Sequence, residues 1–275
     1  MTNRMKVGRI PYVNCYPVYG AIDRGIIPLD GELVDGIPTV LNHMMASGAL
    51  DISVVSAVEY ARDSERYLLL PDLAISCDGP VRSVMLFSRL PAEQLGGRSV
   101  VVSRSSMTSV ALLQLLFENV WQTRPDFVPG DAEIRDIRAD DSHDARLVIG
   151  DAALVLGNSG RYPYVYDLGE VWKRWTDLPF VFAVWVARRG VDVSSALAVH
   201  ARLIESRNWG VAHRTTLASQ AHDATGVATE VCDEYLSGLD YRLSYPHLAG
   251  LTEFFRRLVK QGRVPNGTLS FLTAA

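Results

Sequence analysis

The chain has 275 residues, 48% of them hydrophobic and 21% charged, with 27 Lys and Arg against 31 Asp and Glu for a formal net charge of −4. At roughly 100–200 residues per domain this is one large domain or two small ones, and the apolar content excludes intrinsic disorder and a fibrous repeat. The acidic, evenly mixed charge excludes a sequence-independent nucleic-acid binder, which needs a basic stripe. Asp140, Asp141 and Asp144 form the densest acidic run and read as a solvated loop. Three widely spaced cysteines, Cys15, Cys77 and Cys232, are too few for a disulfide scaffold and lack the paired spacing of a zinc ribbon. Reduced thiols packed as small hydrophobes in a cytoplasmic protein are therefore expected. The polar start, with Arg9 and Pro11 soon after, holds no apolar run of signal-peptide length, and no stretch of about 18 apolar residues is present to span a membrane.

In chain order, Val7 to Val13 reads as a short strand ending at an aromatic, proline-rich turn. Pro38 opens a helix with Leu41, Met44 and Met45 on one face. Strands are expected at Asp51–Ala57, Leu68–Cys77 and Val84–Phe87. After Gly96-Gly97 come a strand over Arg98–Ser103 and a helix over Ser105–Trp121, with Val110, Leu113, Leu116 and Phe117 as its buried stripe. Leu147–Leu156 reads as strand, turn and short helix around Gly150-Asp151. Phe180–Ala187 is a long buried strand, and the pattern is helical from Asp192 onward, with signals at Ala198–Leu203, Val231–Leu236 and His247–Val259. The tail has no strands of its own and must pack on a sheet made earlier. Two α/β lobes follow, with residues 1–89 plus 186–275 as the first and 90–185 as the second. The runner-up is a single doubly wound sheet with a helical cap. A cleft between two lobes is a natural small-ligand site.

Dinucleotide, P-loop, zincin and nucleophile-elbow motifs are absent, and His43, His143, His200, His213, His222 and His247 show no metal-ligand spacing, so neither a metal nor a cofactor is expected. Four segments carry possible chemistry. Ser103 to Ser109 holds five hydroxyl residues in seven positions between a strand and a helix. One capping serine would satisfy the helix start. The remainder leaves an anion cradle open as the alternative. Arg9 to Pro17 is a stiff turn in which Asn14 either orients a ligand or forms an Asx turn. Cys77 to Ser83 places Ser83 at a strand entry, as a hydrogen-bonding group or as a buried strand serine. Gly150-Asp151 places Asp151 as a helix cap or facing the cleft.

Taken together, GRIPYVNCYPVY, DISVVSAVEY, CDGPVRSVMLFS, SRSSMTSV, IGDAAL and WKRWTDLPFVFAVWVARR resemble the chorismate dehydratases of the futalosine route to menaquinone. The resemblance spans residues 8 to 189. A sister family acting later in that route carries Ser-Pro-Cys-Pro-Asn-Asp-Thr-Phe after its first strand, where this chain has Ile-Pro-Tyr-Val-Asn-Cys-Tyr-Pro, so the first family is the closer match. The resemblance implies a two-lobe periplasmic-binding-protein-like fold of type II with the ligand cleft between the lobes. It also implies conversion of chorismate to 3-[(1-carboxyvinyl)oxy]benzoate and water, with no nucleic-acid or membrane partner.

By the same resemblance the catalytic positions fall on Asn14 and Ser83. The substrate-binding positions are Ser56, Ser105, Ser106, Thr108, Ser109 and Asp151, with a substrate carboxylate held at the hydroxyl-rich helix start. Neither Asn14 nor Ser83 is basic, so the expected base is the substrate's own enolpyruvyl carboxylate, with Asp151 as the protein-side alternative. A cytosolic small-anion binding protein and the sister-family lyase are the competing readings.

Overall fold

The computed structural model describes residues 4–104, 106–130, 143–157 and 159–274. Ser105, and Asp140 and Asp141 of the acidic run, lie outside the described residues. The first group of elements is β1 (Met5–Arg9), a 3-10 turn (Val13–Cys15), α1 (Tyr16–Asp23), β2 (Gly31–Asp35), α2 (Pro38–Ala46), β3 (Ile52–Ser56), α3 (Ala57–Arg62) and β4 (Tyr67–Cys77). The second is β5 (Val84–Ser88), β6 (Ser99–Ser103), α4 (Met107–Asn119), β7 (Asp126–Gly130), β8 (Ala145–Ile149), α5 (Asp151–Gly157), β9 (Tyr164–Asp167) and α6 (Leu168–Thr176). The chain then forms β10 (Phe180–Arg188) and four helices, α7 (Val193–Ala212), α8 (Arg214–Thr225), α9 (Thr229–Gly238) and α10 (Tyr245–Lys260).

Two mixed five-stranded sheets result, ordered β2-β1-β3-β10-β4 and β7-β6-β8-β5-β9. This replaces the single doubly wound sheet of the runner-up. In each sheet three strands run parallel, and the fourth position is an antiparallel strand. That strand is β10 in the first sheet and β5 in the second, in each case the first strand made after the chain arrives from the other sheet. The expected boundaries therefore move. β5 lies before residue 90 yet pairs in the second sheet, and β10 begins before residue 186 yet pairs in the first. Sheet membership follows backbone pairing, which a strand's own composition does not encode, and we place the crossings at residues 78–83 and 177–179.

The first strand is shorter than its apolar run. β1 stops at Arg9 because Pro11 has no N–H to give a ladder, and Val13–Cys15 turns the chain into α1, which opens with Pro17 in its first turn. The weakly patterned edge strands β2, β7 and β9 and the six-residue helix α3 carry too little periodicity to stand out in the sequence, whereas α6 is amphipathic but only nine residues long. The buried surface of α4 is wider than the expected stripe. Thr108, Ser109, Ala111, Leu112 and Leu115 are covered as well, while Val110 is only partly buried. The helical tail returns to the first sheet as expected. Phe254 of α10 packs on Phe180 of β10 with ring centroids 4.9 Å apart, and the bridges Leu69–Phe271 and Ser76–Asp240 cover the open edge of β4.

The first lobe's turn is braced from behind. Tyr19 of α1 donates to Gly8 O at 3.1 Å and accepts from Trp185 Nε1 at 2.9 Å, both within the core. Gly210 of α7 approaches α1 so closely that a Cβ there would lie 2.2 Å from Pro17 O and 2.5 Å from Pro17 Cα. Gly210→Ala must force the two helices apart, at about 1–3 kcal/mol for an overpacked contact. The expected outcome is a melting temperature lowered by several degrees, read by thermal denaturation; an unchanged melting temperature would show that α1 can shift freely.

Candidate active site

A cavity of about 610 Å³, measured out to its solvent-facing mouth, lies between the two sheets. It opens at the carboxyl ends of parallel strands, where α/β folds place their ligands. Ile10, Tyr12 and Asn14 follow β1, Ser56 ends β3, Ser106 and Ser109 begin α4 after β6, and Ile149 with Gly150 ends β8. Val81, Ser83 and Val84 come from the first crossing, and Phe182 and Ala183 from β10 just after the second. Thus Asn14, Ser56, Ser83, Ser106 and Ser109, all singled out in the sequence, line one cavity from both lobes.

Each polar group has a distinct state. Asn14 Oδ1 is buried without a hydrogen-bond partner, an acceptor left for whatever fills the cavity. Ser106 is the N-cap of α4: its Oγ accepts from Ser109 N at 3.3 Å and donates to Ser109 Oγ at 2.8 Å. One serine therefore caps, and the Ser109 hydroxyl is left with a proton to give. Ser56 is likewise the N-cap of α3, accepting from Glu59 N at 3.2 Å. Ser83 is 2% exposed, and its hydroxyl has only a long 3.4 Å contact to Val81 O.

Thr108 and Asp151, expected beside a ligand, adjoin the lining residues Ser109 and Gly150 and are not themselves among them. Both reach across to the first lobe instead. Thr108 Oγ1 accepts from Val58 N at 2.9 Å, and Asp151 Oδ1 accepts from Val13 N at 3.1 Å. Each ties a residue of the second lobe to an amide that α3 or the 3-10 turn leaves unpaired. Beside the second tie, the Tyr12 ring lies against Gly150, where a Cβ would meet it at 3.4 Å. We assign these two residues to holding the cleft shut. Burial pushes the Asp151 carboxyl up to about 6, against the opposing effect of its bond from Val13 N.

Among the described residues, no Lys, Arg, His, Asp or Glu lines the cavity. Among the described residues no group of His, Cys, Asp and Glu is arranged to hold a metal ion. His200 and His222 are bound to the carbonyls of Pro71 and Val227, away from the cavity. The three cysteines are buried thiols, as expected. The cavity can therefore grip an anion only through oriented neutral donors and the start of α4.

Ile10, Tyr12, Pro38, Ile75, Val81, Val84, Ile149, Phe182 and Ala183 give it an apolar and aromatic wall that the sequence did not announce. The consecutive residues Phe182 and Ala183 both line it, where the pairing of β10 with β4 shifts register between Val181 and Ala183 and the strict alternation of faces is interrupted.

A family model described as menaquinone biosynthesis matches residues 5–260. The chain is 30% identical to the chorismate dehydratase of Thermus thermophilus over 90% of its own length and 95% of the relative's. It is 27% identical to the chorismate dehydratase of Campylobacter jejuni over 65% of this chain and 66% of that one. A solved structure of a protein from Archaeoglobus fulgidus superposes with a TM-score of 0.79 at 19% identity, covering 94% of this chain and 98% of that one. The alkanesulfonate-binding protein of Xanthomonas axonopodis bound to MOPS follows at 0.69 and 13%, covering 96% and 95%. A Candida albicans protein with the generic periplasmic-binding-protein fold gives 0.61 at 11%, covering 99% and 98%. The fold is thus the two-lobe periplasmic-binding-protein type, and the chain belongs to the menaquinone-biosynthesis family. Among the described residues no helix is long and apolar enough to cross a membrane.

The Asp151 tie has a pH signature. A carboxyl raised to about 6 on folding contributes stability that is present below its unfolded value near 3.8 and lost as the pH rises through about 6. Asp151→Asn keeps an acceptor for Val13 N without the buried charge. It is expected to be more stable than the parent by about 1–3 kcal/mol at pH 8, the difference closing toward pH 4. Denaturant titrations at the two pH values measure it; a difference that stays constant with pH would remove the buried charge from the account.

Proposed function

We infer, from membership of the menaquinone-biosynthesis family, that the cleft takes up chorismate and removes water from it, giving 3-[(1-carboxyvinyl)oxy]benzoate. That chemistry makes the protein a carbon–oxygen lyase, and the reading keeps the cytoplasmic location expected of a biosynthetic enzyme. The observation that carries it is one cavity bounded by both Asn14 and Ser83 and also lined by Ser56, Ser106 and Ser109.

The chemistry suits such a site. The C3 proton of chorismate is vinylogously acidic, because its removal places charge on the ring carboxylate through the conjugated diene. Loss of the C4 hydroxyl then aromatises the ring, so the overall driving force is large. Without a basic side chain on the cavity wall, the nearest base is the substrate's own enolpyruvyl carboxylate. One of its oxygens reaches the C3 hydrogen through a six-membered ring closed by the ether. The proton passes from C3 to that carboxylate and on to the departing C4 hydroxyl, which leaves as water, so atoms and charge balance. Asp151 is the weaker candidate, since it does not line the cavity and its Oδ1 already accepts from Val13 N.

In this reading Asn14 and Ser83 hold the enolpyruvyl arm in its reactive conformer. The hydroxyls and free amides at the start of α4 hold the ring carboxylate as charge develops on it. Neutral donors have an advantage for this substrate. A fixed cation beside the enolpyruvyl carboxylate would lower its basicity, whereas hydrogen-bond donors confined to the ring carboxylate stabilise the transition state without that cost.

Incubating the protein with chorismate and following the ultraviolet spectrum of a benzoate product tests the reading directly. Turnover is expected, with kcat lowered about a hundredfold or more in Asn14→Ala and Ser83→Ala while the dissociation constant for chorismate changes far less. Binding without an aromatic product would instead indicate a solute-binding protein of the same fold. Failure to accept chorismate at all would favour the sister-family lyase. Near-normal turnover in Ser83→Ala would remove Ser83 from the chemistry.

A further inference from the structure

Ser83 is held from two sides by groups that none of the motifs pointed to. On one side is Asp167, at the end of β9, whose carboxylate accepts from Val81 N at 3.0 Å and Arg82 N at 2.6 Å. It also caps α6 through Gly169 N and Glu170 N. That clamp fixes Arg82 in the left-handed region at φ 62°, a conformation that costs a non-glycine residue free energy. On the other side is α9, whose consecutive residues Glu234 and Tyr235 meet the consecutive residues Arg82 and Ser83. Glu234 accepts from the Arg82 guanidinium, and the Ser83 side chain is among the groups around the Tyr235 hydroxyl, outside hydrogen-bond geometry.

Tyr235 is 1% exposed, and no geometrically complete hydrogen bond closes on its hydroxyl. A fully buried phenol without a settled partner costs stability, which a hydrogen bond to Ser83 would recover. Burial holds its pKa well above the ordinary phenol value, so it stays a donor. Ser83 supplies the complementary need. A serine hydroxyl has a single proton, and with that proton spent on the long contact to Val81 O none is left for the cavity. A donor behind Ser83 Oγ occupies its lone pair, turns its proton toward the cavity, and strengthens that outward bond by polarisation.

We propose that Tyr235 is the positioning residue for Ser83: its hydroxyl donates to Ser83 Oγ when the cleft is occupied and directs the Ser83 proton at the substrate. The proposal rests on the lyase reading, since it assigns Tyr235 a part in that reaction. It gives the C-terminal helices a function beyond covering the first sheet.

Tyr235→Phe removes the oxygen and nothing else. The expected result is a kcat for chorismate lowered about tenfold, the worth of one ordinary hydrogen bond. KM should stay within about twofold, and the melting temperature should be unchanged or higher, because an unpartnered buried hydroxyl has gone. In a Ser83→Ala background, read at high enzyme concentration, the same substitution is expected to change the residual turnover by less than about twofold, because the group it acts through is absent. A parent-like kcat in Tyr235→Phe would overturn the proposal, as would a tenfold loss that persists in the Ser83→Ala background. A lowered melting temperature accompanied by a raised KM would mean that Tyr235 only packs. Parent protein that leaves chorismate unchanged would overturn the lyase reading and this inference together, whereas turnover by the parent with an unaffected Tyr235→Phe overturns this inference alone.

Discussion

Two backbone amides of the first lobe, Val13 and Val58, are held by two side chains of the second, Asp151 and Thr108. A cavity lined by neutral groups depends on that grip. No cation in its wall attracts an anion over a distance, so attraction must come from dipoles, whose effect falls away within the first turn of a helix. The start of α4 and the Ser56 and Asn14 positions belong to different lobes, and they address one small molecule only while the lobes stay closed. The ties do that without entering the cavity, which leaves its wall free for the ligand.

A site without charged side chains needs its polar groups fixed, because a mobile hydroxyl finds a partner of its own. Ser106 fixes Ser109 through a 2.8 Å bond while capping α4. Asp167 and α9 fix the chain on either side of Ser83, with the strained Arg82 backbone held by the Asp167 carboxylate. The exception is Asn14 Oδ1, buried and unpartnered. Its place beside the same cavity makes it a waiting acceptor rather than a packing fault. Solute-binding proteins of this architecture grip a ligand and release it. Here the described residues around the cavity are neutral hydroxyl, amide and apolar groups, which suits a reaction whose base travels with the substrate.

The α/β class and the buried strands were legible in the chain because they depend on local pattern. Val, Ile and Phe runs of strand length report burial on both faces. Hydroxyls packed into a helix start report an N-terminus wherever the helix ends up. The family motifs carried the identities of Asn14, Ser83, Ser56, Ser106 and Ser109, whose meeting in one cavity needs contacts across most of the chain.

What the sequence alone determined was which short stretches could turn, cap or donate, since those properties follow from side-chain chemistry and backbone dihedrals within a few residues. Only the tertiary structure decided which lobe each stretch serves. Backbone pairing placed β5 and β10 in the sheets opposite to those expected, and a register shift in β10 lets the consecutive residues Phe182 and Ala183 both border the cavity. Packing of the two lobes joined Thr108 and Asp151 to the amides of Val58 and Val13, and packing of the tail brought Glu234 to Arg82. Each is a relation between residues far apart in the chain, fixed by which surfaces exclude water together and not by any local preference.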